Sequence, residues 1–383
     1  MKLLWVPHMA WAVLDGQRER HLISRWPDEG DEIHVLTWRT LTGPAAYARS
    51  LRPAAERHGA VTLHYGPRLP NVLSRITGNY ARGFWPNEKL FQAEVRRLVR
   101  DLGIDLLLYG LSHKAVGLPP FDVNVARLFD YLDMCVYPEV EDAYIRNSDL
   151  VTCTSTVLVD RVRERGGRAT YVPNGVDSRR IAAGDRVATR QRLGIHDRTV
   201  VSLIGLTSSR TLFFVDALAE AARSVPGLIF LVVGGDISGT KSILAPIRER
   251  CRELGVPIVT TGQIPSAQIG DYFAATDVGL YPGDANAYFD AACPIKVLEY
   301  TAARRPVVAT SLEELRRLAF PNVLLAPPEP KAYATQIVRA VVERLDVADV
   351  SAFDWATLAG AFREACAETV AAHVRAGDPR RIG

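Results

Sequence analysis

Residues 284–310 read DANAYFDAACPIKVLEYTAARRPVVAT, and Pro294 near their middle opens an amphipathic run. Proline suits the first position of a helix, whose N–H has no partner in any case. Lys296 then falls in the first turn, and Glu299, three residues on, shares its face. After Pro306 a short apolar strand is expected over 307–309. A helix start offers free N–H groups and the positive end of the dipole, which together suit a phosphate. Lys296 adds a full charge, and Glu299 is placed to accept hydrogen bonds from a pair of hydroxyls. A diphosphate joined to a ribose is the simplest ligand that uses all three. The same spacing also suits a solvated helix whose Lys and Glu form a surface pair, with about 0.2–0.5 kcal/mol in it.

Outward from this stretch, apolar runs of strand length alternate with helical patterns. In the first half they fall at 3–6, 32–37, 61–64, 106–109, 126–129, 150–152 and 170–172; in the second, at 200–204, 229–233, 258–260, 278–281, 307–309 and 323–325. Continuous apolar strands separated by helices indicate parallel sheets covered on both faces. The expected fold class is therefore α/β, with two Rossmann-like domains. A polar, charged segment at 177–199 separates the two sets, which divides the chain into domains at 1–178 and 179–352. Ligands of such sheets bind beyond the carboxyl ends of the strands, here expected in a cleft between the domains. His8 and Trp11 follow the first strand, although a Trp also packs readily. Gly110 to Lys114, with His113, follow the strand at 106–109, and Asp130 and Asp133 close the strand at 126–129. A carboxylate or imidazole at such a place deprotonates a hydroxyl, and an Asp there also caps a following helix. Gly205, Gly234 and Gly262 each follow a strand of the second domain.

These residues resemble the donor-site signature of GT-B glycosyltransferases of group 1 (family 4-like) and of bacterial glucuronosyltransferase relatives. The likeness rests on Pro294, Ile295, Lys296, Glu299, Tyr300, Ala302, Pro306, Val307 and Val308, and on VPNGVD at 172–177. Phe129-Asp130-Tyr131-Leu132-Asp133 is similar to a Y-D-x-x-D run of the same group. The resemblance implies transfer of a sugar from a nucleotide diphosphate sugar, a UDP-sugar favoured, to an acceptor hydroxyl, with no metal and no further cofactor. It implies donor binding by Gly205, Arg210, Gly234, Gly262, Asp290, Pro294, Ile295, Lys296 and Glu299, while His8 and Trp11, at the carboxyl end of the first strand, are acceptor-binding candidates by position. Asp133 is the implied base of an inverting enzyme, with Asp130 in reserve, and His113 positions the sugar in a retaining one. A terminal helix over 353–376 is implied to pack back on the first domain. Two departures stand out: Ala291 replaces the early Glu of the retaining branch, beside Asp290, and no Arg directly follows Gly205. Stereochemistry therefore stays open, as do a nucleotide-sugar 2-epimerase and a non-catalytic nucleotide-sugar binder.

The chain has 383 residues, 48% of them hydrophobic and 23% charged, the pattern of an ordinary globular protein large enough for two cores. A net charge of +3 is too small to argue for nucleic acid. Five dispersed cysteines without a C-x-x-C suggest a reducing cytoplasm and no metal site. No run reaches transmembrane length. The basic and aromatic stretch at 68–89 suits an acceptor loop, a membrane-surface contact at the inner face, or a helix with a solvated basic face. Small-molecule, glycan and lipid-linked acceptors all remain open.

Overall fold

A computed structural model describes residues 1–8, 11, 14, 17–26, 30–37, 54–66, 80–111, 122–135, 137–205, 212–235, 244–284 and 286–376. The chain divides into two compact units, Met1–Pro173 with Trp355–Gly383, and Asn174–Asp354.

The first unit holds β1 (Lys2–Val6), β2 (Glu32–Thr37), β3 (Ala54–His58), β4 (Val61–Tyr65), β5 (Leu106–Leu111), β6 (Ala126–Tyr131), β7 (Leu150–Cys153) and β8 (Ala169–Tyr171). Their order is β3-β4-β2-β1-β5-β6-β7-β8, parallel throughout except that β3 runs antiparallel to β4. Strands β1 and β5 are buried nearly end to end, as their unbroken Leu, Trp and Val content requires. β3 differs. Four of its five side chains are exposed, so no apolar run marks it in the sequence. The terminal helix Trp355–Arg375 lays Trp355, Leu358, Phe362 and Cys366 on this sheet's core. Phe362 stacks on Trp5 with ring centroids 5.5 Å apart, and both are fully buried. Burial of a side chain such as Phe362 contributes about 1.5–3 kcal/mol.

The second unit carries β9 (Thr199–Ile204), β10 (Leu228–Val233), β11 (Ile258–Thr260), β12 (Val278–Tyr281), β13 (Val307–Thr310) and β14 (Val323–Ala326), in the all-parallel order β11-β10-β9-β12-β13-β14. The polar segment at 177–199, expected as a separator, is folded into this unit. It forms the helices Ser178–Ala182 and Arg186–Leu193, whose first turns are capped by Asp177 and Asp185. Between them Gly184 lies against Gly270, where a Cβ would sit 2.2 Å from the Gly270 carbonyl oxygen. Arg186 and Arg190 both reach Asp277, tying the second helix to the amino end of β12.

Candidate functional site

In an open parallel sheet the strand order reverses at one point, and the loops beyond the carboxyl ends there diverge to leave a crevice. In the second unit that point lies between β9 and β12. Gly205 follows β9 and Gly234 follows β10, at φ 140° and 124°. A Cβ on Gly234 would lie 2.0 Å from the Gly205 carbonyl oxygen, so the two turns close only because no side chain intervenes. Gly262, after β11, accepts the Gly234 N–H at 3.0 Å. Three glycines thus form one bare backbone ledge.

Lys296 borders that ledge: its Cε lies 3.6 Å from where a Gly205 Cβ would be. The helix Ile295–Ala302 begins after Pro294, which takes the capping position and not, as the sequence suggested, the first helical one. Lys296 is therefore the second helical residue, close to the free N–H groups of the first turn. Its Nζ contacts Glu299 Oε2 at 2.6 Å. The pair is not the solvated surface pair of an ordinary helix, because the Glu299 side chain is only 9% exposed against 34% for Lys296. Tyr300 anchors the helix from behind. Its hydroxyl donates to the Ser202 carbonyl at 3.0 Å, and its ring meets Phe273 edge-on with centroids 4.9 Å apart.

Two further contacts fix the loops around this helix. Asn174 donates to the Cys293 carbonyl at 3.2 Å, immediately before Pro294. Nothing local in the VPNGVD motif signals this link to the helix start. Thr310 accepts from Gly283 N–H at 3.0 Å and meets the Tyr333 hydroxyl at 2.7 Å, which holds the chain beyond β12. Asp290 accepts the Glu313 N–H at 2.9 Å, so this carboxylate braces the neighbouring helix start. Arg210 lies outside the described residues.

The first unit has its own reversal between β1 and β5. His8 follows β1, and its Nδ1 contacts Glu19 Oε1 on the helix Arg18–Ser24. Glu19 is 1% exposed, and its second oxygen has no hydrogen-bond partner among the described residues. Gly110, on β5, leaves room for both: a Cβ there would lie 3.3 Å from His8 N and 3.6 Å from Glu19 Oε1. Burial disfavours the imidazolium, but the Glu19 hydrogen bond and the charges of Glu19, Asp133 and Asp130 outweigh it and raise the His8 pKa above its ordinary value. Asp133 itself is half-buried beyond the end of β6.

Two expectations are corrected here. Asp130 is fully buried, held by Arg18 through Nε at 3.1 Å and Nη2 at 3.3 Å and by Thr152 Oγ1 at 2.8 Å. Arg18 Nη1 also donates to the Pro173 carbonyl. A carboxylate so enclosed cannot meet an acceptor hydroxyl; it fixes the helix that carries Glu19. Trp11 is 6% exposed and packs in the core, with the Arg20 guanidinium 3.9 Å above its ring. Among the described residues its surroundings are those of a packing residue. The Arg18 and Glu19 roles were missed because charged residues on a short helix ordinarily face water. His113 lies outside the described residues.

Comparison with known proteins bears on the fold. Residues 198–342 match the family model Glycosyl transferases group 1. The protein TuaH of Bacillus subtilis (strain 168), named as a teichuronic acid biosynthesis glycosyltransferase, is 27% identical across 49% of this chain and 47% of its own length. A D-inositol 3-phosphate glycosyltransferase of Geodermatophilus obscurus is 30% identical across 57% of this chain and 52% of its own. The chain thus spans about half the length of the curated relatives it matches. The crystal structure of Anabaena Alr3699/HepE, solved in complex with UDP and glucose, superposes with a TM-score of 0.61 at 17% identity, covering 99% of this chain and 98% of that one. This chain has the GT-B fold, and its residues 198–342 match the family model Glycosyl transferases group 1.

Proposed function

We propose that the protein transfers a sugar from a nucleotide diphosphate sugar, a UDP-sugar by preference, to an acceptor hydroxyl. The observation that carries this reading is Lys296, set at a helix start against the Gly205–Gly234 ledge and paired with a buried Glu299. In the bound state the pair exchanges partners: Lys296 and the first-turn N–H groups take the diphosphate, and Glu299 accepts from the ribose hydroxyls. As the sugar departs, negative charge grows on the diphosphate, and groups already aimed at it stabilise the transition state without reorganising. The reading gives that task to protein groups and not to a divalent cation. The sugar carbon passes through an oxocarbenium-like state.

The acceptor is met by the first unit. Asp133 takes the proton of the attacking hydroxyl in an inverting reaction, beside His8, which Glu19 holds in one orientation. The similarity to a D-inositol 3-phosphate glycosyltransferase supports a polyhydroxylated acceptor, and the similarity to TuaH, named for teichuronic acid biosynthesis, supports a glycan one.

A thermal-shift screen with UDP, GDP, ADP and dTDP, each with and without magnesium, tests the donor assignment. A ligand that binds only the folded state raises the melting temperature by mass action. The expected result is a shift with UDP that magnesium does not change. No shift with any nucleotide would overturn the reading, and a shift present only with magnesium would overturn its metal-free part.

A further inference from the structure

The second unit has a cavity of about 500 Å³ at the end of the sheet opposite the glycine ledge. Its walls include Thr199 and Val278, which begin β9 and β12, and Pro306 and Asn322, which precede β13 and β14. Four arginines also line it: Arg190, Arg198, Arg304 and Arg344.

Most charge in such a wall is ordinarily neutralised within it, and here two carboxylates are present, Asp277 and Glu343. Both are already engaged. Asp277 takes Arg186, Arg190 and the Val200 N–H. Glu343 is held by Arg339 Nε at 2.9 and 2.8 Å. Arg190 spends its remaining donors on the carbonyls of Ala275 and Arg198. Arg198, Arg304 and Arg344 are left exposed, and their side chains make no hydrogen bond or ion pair among the described residues.

Arg304 adds a second observation. It stands just past the helix Ile295–Ala302 at φ 59°, the left-handed position where glycine is the usual residue. A Cβ there costs energy, and such outliers gather at ligand sites. Nearby, Arg305 Nε is buried without a partner. Burial and the neighbouring Arg186 and Arg190 depress the Arg305 pKa, as expected where positive charge is in excess.

We propose that this cavity is a second anion site, which takes a soluble phosphorylated small molecule with its phosphoryl group among Arg198, Arg304 and Arg344. Guanidinium forks match phosphate oxygens in pairs, and three of them suit a phosphate monoester or diphosphate better than a single carboxylate. The volume lies in the range of about 300–1,000 Å³ usual for small-molecule pockets. A phosphoryl group is also found on lipid headgroups, which a flat basic surface would serve as well as a cavity does.

The test is calorimetric titration of the full chain with inorganic pyrophosphate. Wild type, Lys296→Ala and the double variant Arg304→Gly/Arg344→Ala are compared, with Arg198→Gln as a single exposed change. Glycine is at home at position 304, so the helix end is kept. Pyrophosphate is expected to bind Lys296→Ala nearly as well as wild type at this site, and at least tenfold more weakly to the double variant, with Arg198→Gln shifted in the same direction. Binding that Lys296→Ala abolishes and the double variant retains would overturn the proposal, as would no binding at all. Capture by phosphatidic acid vesicles, lost in the double variant while pyrophosphate does not bind, would overturn the soluble-ligand assignment. None of these outcomes depends on sugar transfer.

Discussion

Breaking a buried ion pair costs more than breaking an exposed one, because the remaining charge has no water to turn to. Asp130→Asn leaves Arg18, 3% exposed, facing a neutral amide in the core. It is expected to destabilise the protein by about 3–5 kcal/mol in urea unfolding. Unchanged stability would return Asp130 to the list of chemical groups. Asp133, three residues on, is expected to behave in the opposite way: Asp133→Asn stops turnover and leaves both stability and UDP affinity in place. Normal turnover in that variant removes it as the base. The two acids look alike in the sequence, since each follows the same apolar strand. Which one turns inward depends on Arg18, more than one hundred residues away, and no local pattern records that. Lys296 and Glu299 were legible because a helix start, a cation and a carboxylate at i, i+3 constrain one another locally.

Elements were read best where a run rich in apolar and β-branched residues marks a strand. The strands at 32–37, 258–260 and 278–281 were placed with their observed bounds, because such a run bounded by polar residues has few alternatives in a parallel sheet. β3 was missed because an edge strand of Ala54, Ala55, Glu56, Arg57 and His58 carries no apolar face. The helices at 178–182 and 186–193 read as a polar separator because little of them turns inward; Ile181, Thr189 and Arg190 do, and the Gly184–Gly270 approach that seats them is a tertiary fact.

Between β2 and β4, His34 Nδ1 faces His64 Nε2 at 3.1 Å. Burial, with His34 and Arg97 adding to it, pushes His64 down to about 4 from an ordinary 6.5. The unfolded chain then binds a proton at this site between pH 6.5 and about 4 that the native state refuses, so stability falls as pH falls through that window. His64→Asn is expected to flatten that part of the stability profile relative to wild type. An identical profile would show that His64 titrates normally in the native state.

For the whole molecule, the fold is legible as two alternating strand–helix sets, while the return of the last helix was implied by the family resemblance alone, since its contacts with β1 span the length of the chain. Truncation after Asp354 removes Trp355, Phe362 and Cys366 from the first unit's core and uncovers Trp5. That variant is expected to lose the first unit's cooperative unfolding and to keep UDP binding, since the proposed donor site lies in the second unit. Loss of UDP binding on truncation would mean that the donor site needs the first unit.

The measurement that meets the central claim most directly is a calorimetric titration of UDP into wild type and Lys296→Ala. A hydrogen bond to a charged group contributes about 1.5–3 kcal/mol, or roughly tenfold and more in affinity. The account predicts at least that loss, with the melting temperature of the ligand-free variant close to wild type. An equal dissociation constant in the two proteins would contradict it, and would leave the Lys296–Glu299 pair as no more than a feature of the helix surface.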